Sequence, residues 1–302
     1  MAQRKIKNYK FFSNYDFFTP GPGGVGMILL MFILGALIAN LISVPLFFIP
    51  GADQYLTMVA YPVMFIPPMI YCANKSRENS FFGSGFKLSN HHYEPLGLWI
   101  CAILVIVVTL TTSVIADSII TLLPPMPERL EKLLEGITQG NFLTNFLCVS
   151  IFAPFFEEWL CRGMILRGLL NYEHKNKQGE SVRGIKPVWA IVISAAIFAI
   201  IHFNPWQAIA AFMLGMLFGY VYYRTGSIWL TMLMHFANNT FALLLSRVDK
   251  LQEADNLSQM LPAPLFWALL VFCIAFAVYF VYKFLCIKTL GKEGSCARVD
   301  AV

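Results

Sequence analysis

The sequence predicts an all-α fold: a polytopic transmembrane helical bundle of about eight spans. Three observations carry this. First, 58% of the 302 residues are hydrophobic and only 13% are charged, where ordinary soluble domains carry roughly 25%. Second, the apolar residues gather in runs of about 20, the length at which a helix crosses the hydrocarbon core of a bilayer. Third, prolines, glycines and basic clusters punctuate the runs, as expected of membrane loops. The net charge of +5 then reports topology and not a nucleic-acid surface, so no nucleic-acid partner is expected. The obligatory partner is membrane lipid. The seven cysteines are scattered, without a CxxC pair, and read as small apolar residues, neither a disulfide framework nor a metal site.

Residues 1–24 carry Arg4, Lys5, Lys7 and Lys10 among Phe and Tyr and read as a cytoplasmic segment lying on the headgroups. The transmembrane bundle takes 25–287, with its motif-bearing core at 140–245, and 288–302 form a cytoplasmic tail. Span 1 covers about 25–49 and closes at Pro50-Gly51. Span 2, about 54–73, holds Pro62, Pro67 and Pro68, which kink a membrane helix and free backbone groups for its neighbours to satisfy. Span 3 covers about 96–123 and stops at Pro124-Pro125. Residues 127–139 alternate charges with Leu130, Leu133 and Leu134 as a short amphipathic surface helix. Span 4, about 142–170, holds two adjacent carboxylates. A polar loop at 171–187 leads to span 5 (188–203), span 6 (206–223), span 7 (227–246) and span 8 (264–287). Span 6 steps through Ala211, Gly215 and Gly219, a small-residue face for close packing. The Lys/Arg excess falls on the side of the N-terminus, the 74–95 and 171–187 loops and the tail, which places both termini in the cytoplasm. In a prokaryote the membrane would be the inner one.

The unusual stretch is 155–170, where Glu157, Glu158 and Arg162 interrupt an otherwise greasy span. Charges at membrane depth are costly and face a cavity or a partner; the bland alternative is that they snorkel at the membrane edge. Glu158 and Arg162 are four apart and share a face, so they can neutralise each other. Glu157 points about 100° away and has no partner within its helix. Phe198 and His202 share a face of span 5, and His235 and Asn239 a face of span 7. Counted from Arg167, Ser227 and Trp189 near the cytoplasmic span ends, Glu157, His235 and His202 lie ~15, ~12 and ~20 Å below the cytoplasmic interface, close enough to one layer to share a site. A carboxylate and a histidine can hold and deprotonate water. A second histidine and an amide can bind an oxyanion. These parts suit amide hydrolysis inside the membrane. His202, His235 and a Glu could instead hold zinc, although no HExxH is present, or the charges could line an ion pathway.

Glu157-Glu158-x-x-x-Arg162, Phe198-x-x-x-His202 and His235-x-x-x-Asn239, in this order on successive spans, resemble the signature of the CPBP intramembrane proteases. This is the CAAX-protease and bacteriocin-processing (ABI) family, which includes the type II CAAX prenyl endopeptidases. The resemblance covers about 140–245. It implies an endopeptidase with its site open to the cytosol, acting on a peptide or protein substrate, prenylated or otherwise membrane-associated. By position, Glu157 aided by His202 would activate water, Glu158 and Arg162 would support the site, and His235 and Asn239 would stabilise the oxyanion, with Phe198 as packing. The expected mechanism is a glutamate-type one with no cofactor, because Arg162 and Asn239 are poor company for zinc; the metal-dependent alternative uses Glu157, His202 and His235. The competing functions are an immunity or scaffold protein on the same fold and a small transporter.

Overall fold

Inside a bilayer each backbone N–H and C=O must find its partner within the protein, so an apolar run folds as a helix. The structure is a computed structural model and describes residues 11–49, 55–81, 85–128, 130, 141–176, 178–248 and 257–287. Its long helices are α1 (Pro22–Phe47), α2 (Leu56–Asn79), α3 (Leu98–Ile120), α4 (142–171), α5 (Pro187–Ile200), α6 (Pro205–Thr225), α7 (Ile228–Leu245) and α8 (Ala263–Leu285). Six of them, α1, α2, α3, α6, α7 and α8, are long and apolar enough to cross a membrane. The shorter α5 has 14 residues. The chain is therefore an all-α multi-pass helical bundle. The amphipathic helix expected at 127–139 and the tail at 288–302 lie largely or wholly outside the described residues, as do residues 1–10.

The helix limits follow local chemistry. Pro22, Pro187 and Pro205 open α1, α5 and α6, and Pro262 and Pro264 flank the first residue of α8. At a helix start the missing N–H of proline costs nothing. Side chains of Asn204 and Ser227 accept hydrogen bonds from the first-turn N–H groups of α6 and α7. Gly226 ends α6 in the left-handed conformation, with φ 64°. Helix α4 is built differently. Its α-helical stretches Phe142–Asn145, Ala153–Glu158 and Arg167–Asn171 alternate with wide π-type turns at Phe146–Phe152 and Trp159–Leu166. Such turns are rare and often mark functional sites; here they flank the acidic pair on both sides.

Helix α1 lies along α2, α5 along α6, and α3 against α6, α7 and α8. The α1–α2 contact is close because Gly35 has no side chain: a Cβ there would sit 2.1 Å from the Met64 carbonyl oxygen. Pro68, lacking an N–H, cannot donate to that carbonyl along α2. The small-residue face of α6 does what its spacing predicts, Gly215 meeting Ala195 and Gly219 meeting Ile191 of α5.

The core is in two parts. One gathers α3, α6, α7 and α8 around Phe218, Phe280 and Phe284. The other surrounds α4, where every residue from Glu157 to Asn171 is buried. Residues 11–18 belong to this second core. Tyr15 and Phe18 are buried, and the Tyr15 ring meets Trp159 edge-on at 5.3 Å. This part of the N-terminal segment packs onto protein, in contrast to the headgroup placement expected from its aromatic composition. The polar 171–187 loop carries a short antiparallel hairpin, Glu173–Lys175 with Ser181–Arg183.

Candidate active site

The acidic pair sits between the two wide-turn stretches of α4. Glu158 and Arg162 are wholly buried, and Nη1 of Arg162 donates to Glu158 Oε1 at 3.0 Å. This is the pairing their spacing predicts. Nη2 of Arg162 donates to the Gly215 carbonyl at 3.0 Å, and the guanidinium lies 4.5 Å from the Phe198 ring centre and 5.3 Å from that of Phe218. The close approach of Gly215 to α5 and its carbonyl bond to Arg162 tie α4, α5 and α6 together at one level. A buried charge is tolerated when it is paired and hydrogen-bonded, and Arg162 is both.

His235 of α7 reaches the same carboxylate, its Nδ1 lying 3.0 Å from Glu158 Oε1. A carboxylate accepts, so Nδ1 carries the hydrogen; in the neutral form of the ring Nε2 then holds the lone pair. That Nε2 faces Oε2 of Glu157 at 3.9 Å. Among the described residues Glu157 Oε2 is buried with no hydrogen-bond partner. The other oxygen, Oε1, accepts from the Tyr61 hydroxyl of α2. Glu157 has no partner on its own helix, as the helical geometry predicts; its partners come from α2 and α7.

His202, at the C-terminal end of α5, is partly buried. Its Nδ1 donates to the Phe198 carbonyl at 2.7 Å, which in the neutral form of the ring leaves Nε2 as an acceptor. The Phe198 ring meets both imidazoles edge-on, His202 at 5.0 Å and His235 at 5.5 Å between centres. The structure thus gathers Glu157, Glu158, Arg162 and His235 by direct contact, and brings His202 to them across one aromatic ring. The imidazole beside Glu157 is His235; the His202 expected there by resemblance contacts Phe198.

Asn239 lies one turn beyond His235 and is partly buried. Its Nδ2 donates to the Val149 carbonyl at 2.8 Å, inside the first wide-turn stretch. Its Oδ1 accepts from Asn238 Nδ2 at 3.0 Å, and Asn238 in turn accepts from Ser113 of α3 at 2.6 Å. Ser194 of α5 does for the second wide-turn stretch what Asn239 does for the first, donating to the Cys161 carbonyl at 2.8 Å. Neighbouring side chains thus satisfy carbonyls within the distorted turns.

Two participants escape spacing arguments. Tyr61 is one; a tyrosine hydroxyl taken out of water needs a partner, and that is the signal a lone hydroxyl in an apolar span gives. The second is Arg167, which in sequence marks the cytoplasmic edge of its span. It is wholly buried, and its five guanidinium hydrogen bonds run to the carbonyls of Gly163, Asp16, Phe86, Tyr15 and Phe18.

As placed, these side chains do not make a metal cage. Among the described residues no three His, Cys, Asp or Glu groups converge as ligands, and the Tyr61 hydroxyl engages one oxygen of Glu157. The zinc set Glu157, His202 and His235 is therefore not assembled in this geometry.

Residues 139–241 match the family model described as Rce1-like: Type II CAAX prenyl endopeptidase Rce1-like. The match holds all six candidate residues and supports the resemblance to the CPBP intramembrane proteases that the three motifs carry. No curated protein and no solved structure matches the chain.

Proposed function

We propose, from the premise that residues 139–241 carry the Rce1-like pattern, that the protein is an intramembrane endopeptidase of the CAAX-protease type. The observation that carries this is the facing of two buried atoms, Glu157 Oε2 and His235 Nε2, 3.9 Å apart, the first of them without a hydrogen-bond partner among the described residues. With His235 neutral, both atoms are acceptors. A water molecule beside them, with two hydrogens to give, can bridge the two. At an ordinary spacing of about 2.8 Å from each, it would see the two atoms (3.9 Å apart) roughly 90° from each other, near its own bond angle.

In the proposed reaction Glu157 takes a proton from this water as the water's oxygen attacks the carbonyl carbon of the scissile amide. Carbon becomes tetrahedral, and the carbonyl oxygen takes the negative charge. The carbon–nitrogen bond then breaks, and the proton held by Glu157 passes to the departing amine. The products are a carboxylic acid and an amine, which exchange one proton to become carboxylate and ammonium, and Glu157 returns to its ionised form, so the step balances without a co-reactant. His235 orients the water. The Glu158 carboxylate holds the His235 tautomer, and Arg162 balances the charge of Glu158. Asn239 spends one Nδ2 hydrogen on Val149 and keeps a second for the oxyanion. His202, fixed through Nδ1, presents Nε2 toward substrate. The reading is a glutamate-type, metal-free hydrolysis.

The proposed substrate is a membrane-associated peptide or protein, a prenylated one above all, reached from the cytoplasmic side with both termini of the chain on that side. The test is cleavage by the purified protein in lipid vesicles, with a farnesylated peptide and its unlipidated twin. The farnesylated peptide is cut at least about tenfold faster, since membrane partitioning by a lipid chain concentrates it at the site, and a chelator leaves the rate unchanged. Failure to cut either peptide would overturn the assignment.

A further inference from the structure

We infer that Tyr61 is a positioning residue for this hydrolysis, delivered to the site by α2 from outside the matched segment. The inference rests on the reading of Glu157 as the base. Tyr61 stands 96 residues from Glu157 in sequence, and its hydroxyl donates to Oε1. A carboxylate has two equivalent oxygens, and rotation about the last bond of a glutamate is soft and roughly two-fold. With Oε1 engaged by Tyr61, Oε2 is the oxygen presented to His235.

A hydroxyl can hold a carboxylate only if its own ring is held. The Tyr61 ring packs against Phe65 at 5.5 Å. Phe65 stacks on Phe156, with centres 5.0 Å apart and planes 17° apart, and Phe156 is the residue before Glu157. The same turn of α2 is pressed by α1 where Gly35 meets Met64. Ring and carboxylate are thus fixed by contacts that do not depend on the bond between them. This is the support a catalytic group needs, because a misplacement of about 1 Å can cost 100-fold in rate. It also assigns a role to the proline-rich span beyond packing: α2 carries the donor that orients the base.

The experiment compares wild type, Tyr61→Phe, Tyr61→Met and Glu157→Gln, each purified, placed in vesicles with the farnesylated peptide, and followed by thermal melting. Tyr61→Phe keeps the ring on Phe65 and removes only the hydroxyl. The expected result is a kcat lower by about 10- to 100-fold with KM within about twofold and a melting temperature near wild type. Tyr61→Met, which also lacks the donor, shows at least the same loss of kcat. A Tyr61→Phe protein that turns over at the wild-type rate while Glu157→Gln is inactive overturns the role of Tyr61 alone. A raised KM with unchanged kcat also overturns it, and makes Tyr61 a substrate contact. A wild type that cuts nothing, or a Glu157→Gln protein that cuts normally, overturns the reading of Glu157 and this inference with it.

Discussion

Helix α4 carries two arginines five positions apart, both wholly buried, and they solve the same physical problem in opposite ways. Arg162 offsets its charge with a carboxylate, one backbone carbonyl and two aromatic faces. Arg167 bonds five backbone carbonyls, four of them from the 15–18 and 86 regions of the chain. The first arrangement sits among titratable groups with unsatisfied atoms: Glu157 Oε2, Glu158 Oε2 and Arg162 Nε have no hydrogen-bond partners among the described residues. The second uses all its donors. A region with spare polar capacity can bind and react, whereas one with none can only hold shape. The difference separates the proposed chemical end of α4 from the architectural end.

The largest effect on the comparison comes from Arg167→Met. Removing the guanidinium takes a donor from five carbonyls, of which those of Tyr15 and Asp16 keep a backbone N–H, and leaving a buried acceptor unpaired costs about 1–3 kcal/mol. Purified yield and melting temperature should both fall sharply, while any folded fraction keeps its kcat. A variant that melts like wild type would show that the N-terminal segment is held by its aromatic contacts alone.

A smaller effect sharpens the same contrast. Asp16 lies at the architectural end, where its carboxylate accepts from the Leu88 N–H at 2.8 Å. Burial pushes its carboxyl above the usual range, against the lowering effect of that bond and of Arg167 and Lys87. The sign follows: with the folded value raised, the contribution of Asp16 is complete below the unfolded value of about 3.9 and is lost as pH rises through the folded one. Asp16→Asn keeps an acceptor for Leu88. Its melting temperature relative to wild type should therefore climb as pH goes from 4 to 7. A gap that shrinks over that range would mean that the Arg167 and Lys87 charges outweigh burial.

Much of the chemical end was legible in sequence because its motifs are local. The four-residue spacing of Glu158 and Arg162, and the shared faces of Phe198 with His202 and His235 with Asn239, are properties of single helices. The all-α, multi-pass character followed from hydropathy; of the about eight spans expected, six helices have span length and composition. What spacing cannot reach is contact between helices distant in sequence. Tyr61 meets Glu157 across 96 residues, and Arg167 meets Tyr15 across 152. Both depend on how helices dock. The wide turns of α4 are hidden for a related reason: their carbonyls are satisfied by Asn239 and Ser194, side chains of other helices. Arg167 misled because a basic residue near the end of an apolar run ordinarily marks the interface, and here the folded 11–18 segment covers it.

The central claim is that Glu157 is the base and contributes chemistry more than structure. Its direct measure is the rate of peptide cleavage by purified Glu157→Gln set beside its melting temperature. The glutamine keeps an acceptor for Tyr61 and cannot take a proton, so cleavage should drop by about 100- to 10,000-fold with the melting temperature unchanged. Cleavage at the wild-type rate by a folded Glu157→Gln protein would contradict the account.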